Sequence, residues 1–334
     1  MKSFKILFFT TMITGSMITI SSNSWMGMWI GLEINLLSII PLLSANDQDN
    51  STEASIKYFI TQTIASNIIL MAIICMFYNN EQINNHFNLT LMIQSALCIK
   101  MGAAPFHSWF PEVMEGLHWL NCLIMLTWQK IAPMIMMMLM IKQEMFIYMT
   151  ILMSSAIGSI IGFNQISLKK IMAYSSINHI GWMIAAMIST KSIWLIYFSI
   201  YSIITVNVIW IFHYMNAIKI SQIPSLFLQK KISGLIFSMN FFSLGGLPPF
   251  LGFLPKWLTI QQLIFMENYA LAIIMIMLTL IAMFFYLRLS IIPLTLVNQT
   301  NLVKYSKNLN FMVYFTNTTS LTALAMISLL MNPF

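Results

Sequence analysis

Apolar runs of about twenty residues, parted by short polar stretches, make up almost the whole chain. At a rise of ~1.5 Å per residue, such a run crosses the ~30 Å hydrocarbon core of a bilayer as a helix. The pattern predicts eleven spans, at about 4–20, 25–45, 54–77, 89–109, 117–141, 145–163, 168–188, 192–215, 233–266, 269–292 and 309–331. Short connections make neighbouring helices alternate in direction. The expectation is an all-α polytopic membrane protein in which residues 1–334 form a single integral membrane domain, since no stretch is polar enough for a soluble lobe.

Composition agrees with that picture and charge orients it. The 334 residues are 59% hydrophobic and 7% charged, against about 25% charged in ordinary soluble domains. An odd number of spans puts the termini on opposite sides. The N-terminal side then carries Lys2, Lys5, Lys57, Lys169, Lys170, Lys219, Lys230, Lys231, Lys304 and Lys307, with Arg288 near it, while the other side receives only Lys142 and Lys191. That bias assigns the N-terminal side to the cytoplasm or mitochondrial matrix. The net charge of +7 is dispersed among apolar segments rather than gathered beside stacking aromatics, so it is no nucleic-acid signal. The first apolar stretch leads into SSNSW rather than a small-residue cleavage site, so no cleavable leader is expected. A single arginine beside 31 methionines suggests an AT-rich, mitochondrial coding source.

Four charges fall inside the apolar spans: Glu33, Lys100, Lys130 and Lys256. A charge at bilayer depth costs roughly 2.5–3.5 kcal/mol even on the lenient insertion scale, so each needs a partner or water, and such residues usually serve a function. Counted from the side opposite the N-terminus, they lie about eight, eleven, eleven and ten residues deep, which agrees within roughly 5 Å. His179 lies about eleven residues in from the N-terminal side and also falls near the middle. A polar layer at the midplane is expected.

An internal repeat accompanies the charges. Gly102-Ala-Ala-Pro105-Phe106 to Pro111 and Gly246-Leu-Pro-Pro249-Phe250 to Pro255 share the spacing G-x-x-P-F-x4-P. Both sit in apolar segments longer than one span requires, and the two segments enter from opposite sides. Gly and Pro remove helix propensity and hydrogen bonds, so these are candidate broken helices, and a pair in corresponding positions of two inverted halves is a transporter pattern. Simple kinking of two core helices is the alternative.

Lysine is the cation that desolvation most readily deprives of its proton, and a carboxylate that approaches and withdraws makes such a lysine a switchable proton carrier. A structural ion pair with Glu33 is the alternative, but it leaves two lysines without an acidic partner in the spans. His179, among Ser175, Ser176 and Asn178, reads equally as a proton relay or as a hydrogen-bonded packing residue. His107 and His118 flank a loop with Glu112 and Glu115, which reads as a solvated loop, with admission of protons as the alternative. Cys75, Cys98 and Cys122 lack any CxxC spacing and read as small core residues. The spacings Gly27/Gly31 and Gly158/Gly162 suggest close helix contacts. No phosphate loop, dinucleotide fingerprint or metal-ligand cluster is present.

At WMGMWIGLEINLLSIIPLL, SALCIKMGAAPFHSWFPEV, TWQKIAP, AYSSINHIGW and SLGGLPPFLGFLPKWL the chain resembles the chain 2 family of mitochondrial NADH:ubiquinone oxidoreductase, respiratory complex I. The likeness runs from about residue 20 to 290, and the length and residue usage resemble an arthropod copy. It implies an antiporter-like fold of two inverted five-helix repeats, about 25–163 and 168–292, each with a broken helix, followed by a terminal helix at 309–331. It implies that Glu33 pairs with Lys100, that Lys130 is a central relay, and that Lys256 leads towards the exit or the next subunit. His179 is a weaker member of the proton-relay set. The chain itself would bind no cofactor and no metal, while NADH, FMN, iron–sulfur clusters and ubiquinone serve the complex in other subunits. Its partners would be the other membrane-arm subunits, the lipid bilayer and protons. The location would be the mitochondrial inner membrane, with the N-terminus in the matrix and the C-terminus in the intermembrane space. A stand-alone cation/proton antiporter shares the charge layer and is the main rival. A scaffold whose charges merely pair is a third reading.

Overall fold

The computed structural model describes residues 2–44, 49–78, 86–141, 145–223, 231–248 and 250–294. Regular structure among them is helical, apart from one isolated bridge between Ser167 and Lys219. The helices are α1 (Lys2–Ser21), α2 (Trp25–Leu43), α3 (Asp49–Tyr78), α4 (His86–Met101), α5 (Trp109–Gly116), α6 (Trp119–Leu126), α7 (Trp128–Met140), α8 (Met145–Phe163), α9 (Leu168–Ser189), α10 (Lys191–Met215), α11 (Lys231–Gly245), α12 (Phe253–Phe265) and α13 (Tyr269–Leu294). They fall into two compact units, Met1–Thr150 and Ile151–Phe334.

Each of the first ten expected spans coincides with a helix or a consecutive pair of helices. Among the described residues eight segments are long and apolar enough to cross a membrane, including Asn50–Tyr78, Trp119–Met140, Leu168–Ser189 and Lys191–Met215. The expected spans 89–109 and 233–266 are instead interrupted, as α4 with α5 and as α11 with α12. The expected span 309–331 lies outside the described residues. On α3, Ile60, Ile64, Met71 and Ile74 form an exposed stripe. Outward apolar faces of this kind suit hydrocarbon as the solvent, since lipid tails are as apolar as leucine.

Without a hydrophobic drive between helices, close backbone approach holds them together. In the first unit α1 lies against α2 at Gly31, where a Cβ would stand 2.7 Å from the Thr19 nitrogen and 2.8 Å from the Gly15 carbonyl. In the second unit α8 meets α9 at Gly158, where a Cβ would stand 2.7 Å from the Asn178 nitrogen. Gly162, one turn on, faces the softer side chains of Phe285 and Tyr174. These are the close contacts suggested by the glycine spacing; Gly27 differs, touching only Ser22 and Ser24 near its own helix start. Helix α9 is the centre of the second unit, with 94% of its spanning window buried. It carries Ser175, Ser176, Asn178 and His179 inside, so the core of this unit is polar along one helix.

Candidate functional site: buried lysines at two helix breaks

The first repeat element breaks its helix at Gly102. Its φ of +71° is a left-handed conformation that glycine adopts without a Cβ clash. The Gly102 N–H donates to the Ile99 carbonyl at 3.1 Å and the Ala103 N–H to the Cys98 carbonyl at 3.0 Å, the bonding of a glycine-terminated helix. Trp109, which opens α5, turns its indole N–H back onto the same Ile99 carbonyl at 3.1 Å. The break therefore satisfies much of its own backbone within the protein, as irregular chain at membrane depth must.

Lys100 sits in the last turn of α4, 7% exposed, and its carbonyl accepts a long hydrogen bond of 3.4 Å from Gln62. Glu33 on α2 lies near enough for its charge to act on Lys100. The two form no ion pair in contact, unlike Lys57, which pairs with Glu53 at 2.9 Å and Glu112 at 3.1 Å. One Glu33 carboxylate oxygen is buried without a hydrogen-bond partner. Lys130 on α7 is 1% exposed, with its ammonium 5.3 Å from the centre of the Phe110 ring. Phe110 packs directly over Gly102, where a Cβ would stand 3.0 Å from the Phe110 Cβ. Lys130 thus faces the first break across one aromatic ring, within cation–π range.

The second repeat element behaves alike at its glycine. Gly246 has φ +81°, and its N–H donates to the Phe242 and Ser243 carbonyls at 3.1 and 3.0 Å, while the Leu247 N–H returns to Phe242 at 3.2 Å. Pro249 lies outside the described residues, and α12 restarts at Phe253. In its first turn Lys256, 7% exposed, reaches back so that its ammonium donates to the Gly245 carbonyl at 2.6 Å and the Leu244 carbonyl at 3.4 Å. Those oxygens belong to the last turn of α11, where carbonyls lack helical donors and the helix dipole favours a cation. The ammonium also stands 5.9 Å from the centre of the Trp182 ring on α9.

The two elements place charge differently. Ten positions after its glycine the first element has Glu112 and the second has Lys256, while two positions before its glycine the first has Lys100 and the second has Leu244. Lys256 returns its ammonium to the Leu244 and Gly245 carbonyls, so each break brings a lysine to the helix end before the glycine by a different route. His179 is one turn from Trp182 on α9. Its Nδ1 is 2.9 Å from the Tyr197 hydroxyl, and its ring leans on that of Tyr201 at 5.1 Å between centroids.

Three features of the site escaped the pattern of the chain. Asn35 and Gln129 exchange amide hydrogen bonds at 3.1 and 3.0 Å beside Glu33 and Lys130, with Tyr58 donating to Gln129 at 3.4 Å. Thr127 parts α6 from α7 just before Lys130, its hydroxyl bonding the Leu123 carbonyl at 2.7 Å. Pro133 inside α7 was the available signal, because it cannot donate to the Gln129 carbonyl one turn back. Tyr197 and Tyr201, four apart on α10, could be read as one face, but not as a face turned towards His179.

A family model described as NADH:quinone oxidoreductase/Mrp antiporter, TM, matches residues 22–282. The chain is 48% identical over 312 residues to NADH-ubiquinone oxidoreductase chain 2 of Anopheles gambiae, covering 91% of this chain and 90% of that one. It is 43% identical over 305 residues to the protein of that name from Locusta migratoria, covering 90% and 88%. Among solved structures, a chain of respiratory complex I from Thermus thermophilus with bound aureothin superposes with a TM-score of 0.84 at 20% identity, covering 98% of this chain and 77% of that one.

Proposed function

This chain belongs to the NADH:quinone oxidoreductase/Mrp antiporter transmembrane family and, within it, to the chain 2 subunits of NADH-ubiquinone oxidoreductase, and from that premise we propose that it conducts protons within the membrane arm of respiratory complex I. It is a multi-pass subunit of the mitochondrial inner membrane, assembled with other subunits of the arm. The observation that carries the proton role is the meeting, in each unit, of a glycine-terminated helix break with a buried lysine: Lys100 before Gly102, and Lys256 folded back over Gly246.

In the first unit Glu33 modulates the charge of Lys100, and Lys130 takes the proton onward past Phe110. In the second unit Lys256 alternates between its seat on the α11 carbonyls and a proton acceptor, with His179 as the weaker member of the relay. The N-terminus faces the matrix and the C-terminus the intermembrane space. NADH oxidation, flavin, iron–sulfur and quinone chemistry belong to other subunits, and this chain holds none of those groups. Moving one proton against 100 mV requires about 2.3 kcal/mol, so the drive comes from the redox partners.

The test is Lys256→Met in the assembled complex, with proton pumping and NADH:quinone turnover measured beside NADH oxidation by an artificial acceptor. Loss of the first two with the third retained supports the relay. Full pumping in assembled enzyme removes it.

A further inference from the structure

Lys130 stands where the backbone of its helix does least to fix its own direction. Thr127, with φ −114° and ψ −72°, parts α6 from α7, and the Lys130 N–H donates to the Thr127 carbonyl at 3.3 Å, a three-residue step in place of the four-residue step of an α-helix. Pro133 follows three positions after the lysine and has no N–H to give the Gln129 carbonyl. The first turn of α7 therefore needs side chains to set its rotation.

Gln129 supplies the grip. Its Oε1 accepts from the Asn35 amide on α2 at 3.1 Å and from the Tyr58 hydroxyl on α3 at 3.4 Å, which fills both lone pairs, while its Nε2 donates to Asn35 Oδ1 at 3.0 Å. Three helices meet on one amide. Tyr58 also reaches the far side of the lysine: its ring lies 5.8 Å from that of Trp109, and Trp109 stands edge-on, at 5.4 Å and 90°, to Phe110, the ring that faces the Lys130 ammonium at 5.3 Å. Lysine and ring are thus tied to one tyrosine. Trp109 is itself anchored by its indole N–H on the Ile99 carbonyl at 3.1 Å, so the frame is fixed to the first helix break.

We propose that Gln129, clasped by Asn35 and Tyr58, is the positioning residue that seats Lys130 over Phe110. The inference rests on the relay role of Lys130 given above and adds what holds that carrier in place. Amides suit the task, because neither Asn35 nor Gln129 gains or loses a proton near neutral pH, so the clasp orients a proton carrier without competing for its proton. An apolar pair at the same place would fill the space and leave the turn free to rotate.

The experiment uses the assembled complex with Asn35→Leu, Gln129→Leu, the two together, the exchange of Asn35→Gln with Gln129→Asn, and Tyr58→Phe. Melting temperature, NADH:quinone turnover and proton pumping are measured on each. Each single leucine replacement is expected to lower coupled turnover about 2- to 10-fold, the worth of one ordinary hydrogen bond. Tyr58→Phe keeps the ring on Trp109 and loses a long bond of 3.4 Å, so about 2-fold is expected. The double leucine variant separates positioning from packing: its melting loss should be smaller than the two single losses added, while its turnover stays as low as theirs. The exchange should restore turnover, and a structure of the double leucine complex should show the Lys130 ammonium off the Phe110 ring. Turnover that follows melting temperature through the whole series, an exchange that restores stability but not turnover, or Lys130 unmoved over Phe110 would overturn the proposal. Where the leucine variants fail to assemble, Tyr58→Phe decides: reduced turnover at a nearly parental melting temperature supports the clasp, and parental turnover overturns it. If Lys130→Met is itself fully active, the relay reading fails; if Lys130→Met is defective and the double leucine variant is fully active, only this inference fails.

Discussion

The Lys256 ammonium donates to the Gly245 carbonyl at 2.6 Å, eleven residues back in the chain, and so closes the second helix break on itself. Gly246 makes this possible twice over. Its φ of +81° lets α11 end in a left-handed turn, and a Cβ there would stand 2.7 Å from Lys256 Cδ and 3.0 Å from its nitrogen. Gly246→Ala is therefore expected to add left-handed strain of about 1–2 kcal/mol and to push the lysine off its carbonyls. Gly102→Ala adds similar strain, but its Cβ meets Phe110 rather than a lysine. Thermal stability should fall comparably in both, while pumping per NADH oxidised should fall further in Gly246→Ala. Equal pumping losses would remove the special role given to the lysine stem.

Lys100 and Glu33 interact by charge without touching. Lys100→Met removes the cation while keeping an unbranched apolar chain of similar length, so assembly should persist. Coupled turnover is expected to drop about 100-fold, the lower end of the range for losing a positioned proton-transfer group. Blue-native electrophoresis for assembly, read beside NADH-driven proton uptake, gives the answer. Normal pumping in fully assembled enzyme would exclude Lys100 from the path.

Much of this arrangement was legible in the chain because its causes are local. Twenty-residue apolar runs specify spanning helices, and G-x-x-P-F marks two breaks because glycine and proline act on their own backbone. Lys100, Lys130, Lys256 and His179 were readable as buried since they lie mid-span, and all four are buried. The contacts they make were not legible. Which carbonyl receives Lys256 depends on how a seven-residue break folds, and the meeting of Tyr197 with His179 depends on the rotation of α10 against α9. Such rotations are set by packing between surfaces distant in sequence. The Asn35–Gln129 pair, 94 residues apart, has the same origin.

That amide pair makes its own prediction. Cutting Asn35 to alanine takes the partner from the Gln129 amide nitrogen, while Tyr58 still donates to the Gln129 oxygen, and Gln129 is half-buried, so the expected loss is about 1 kcal/mol. Replacing both residues by leucine should cost less than the sum of the two single leucine replacements, since no buried amide is then left alone. A double-mutant cycle on the melting of the assembled complex measures this coupling. Strict additivity would mean that the two amides stabilise the unit independently.

The isolated chain distinguishes a dependent subunit from a self-sufficient exchanger. Reconstituted alone in liposomes, with an imposed Na+ or K+ gradient, it is expected to move no protons beyond the empty-vesicle leak. Sustained ion-for-proton exchange that Lys256→Met abolishes would favour the antiporter reading instead.

Helix contact in the second unit gives the sharpest contrast between neighbouring positions. A Cβ on Gly158 meets backbone of α9, the Asn178 nitrogen at 2.7 Å and the Tyr174 carbonyl at 2.8 Å, and neither can move without the helix. A Cβ on Gly162 meets the edge of the Phe285 ring at 3.2 Å, which can turn aside, and the Tyr174 Cβ at 3.3 Å, which has to give by only a few tenths of an ångström. Gly158→Ala must therefore push α8 away from the helix that carries His179, at the upper part of the ~1–3 kcal/mol range for overpacking, while Gly162→Ala should fall at the lower end. The separation also displaces Asn178, the neighbour of His179, so turnover in whatever Gly158→Ala complex survives should fall more than its stability alone explains. Melting temperature and turnover measured side by side on the two variants test this. Indistinguishable behaviour would mean that α8 and α9 yield freely at this contact, and that the backbone approach does not fix the position of His179.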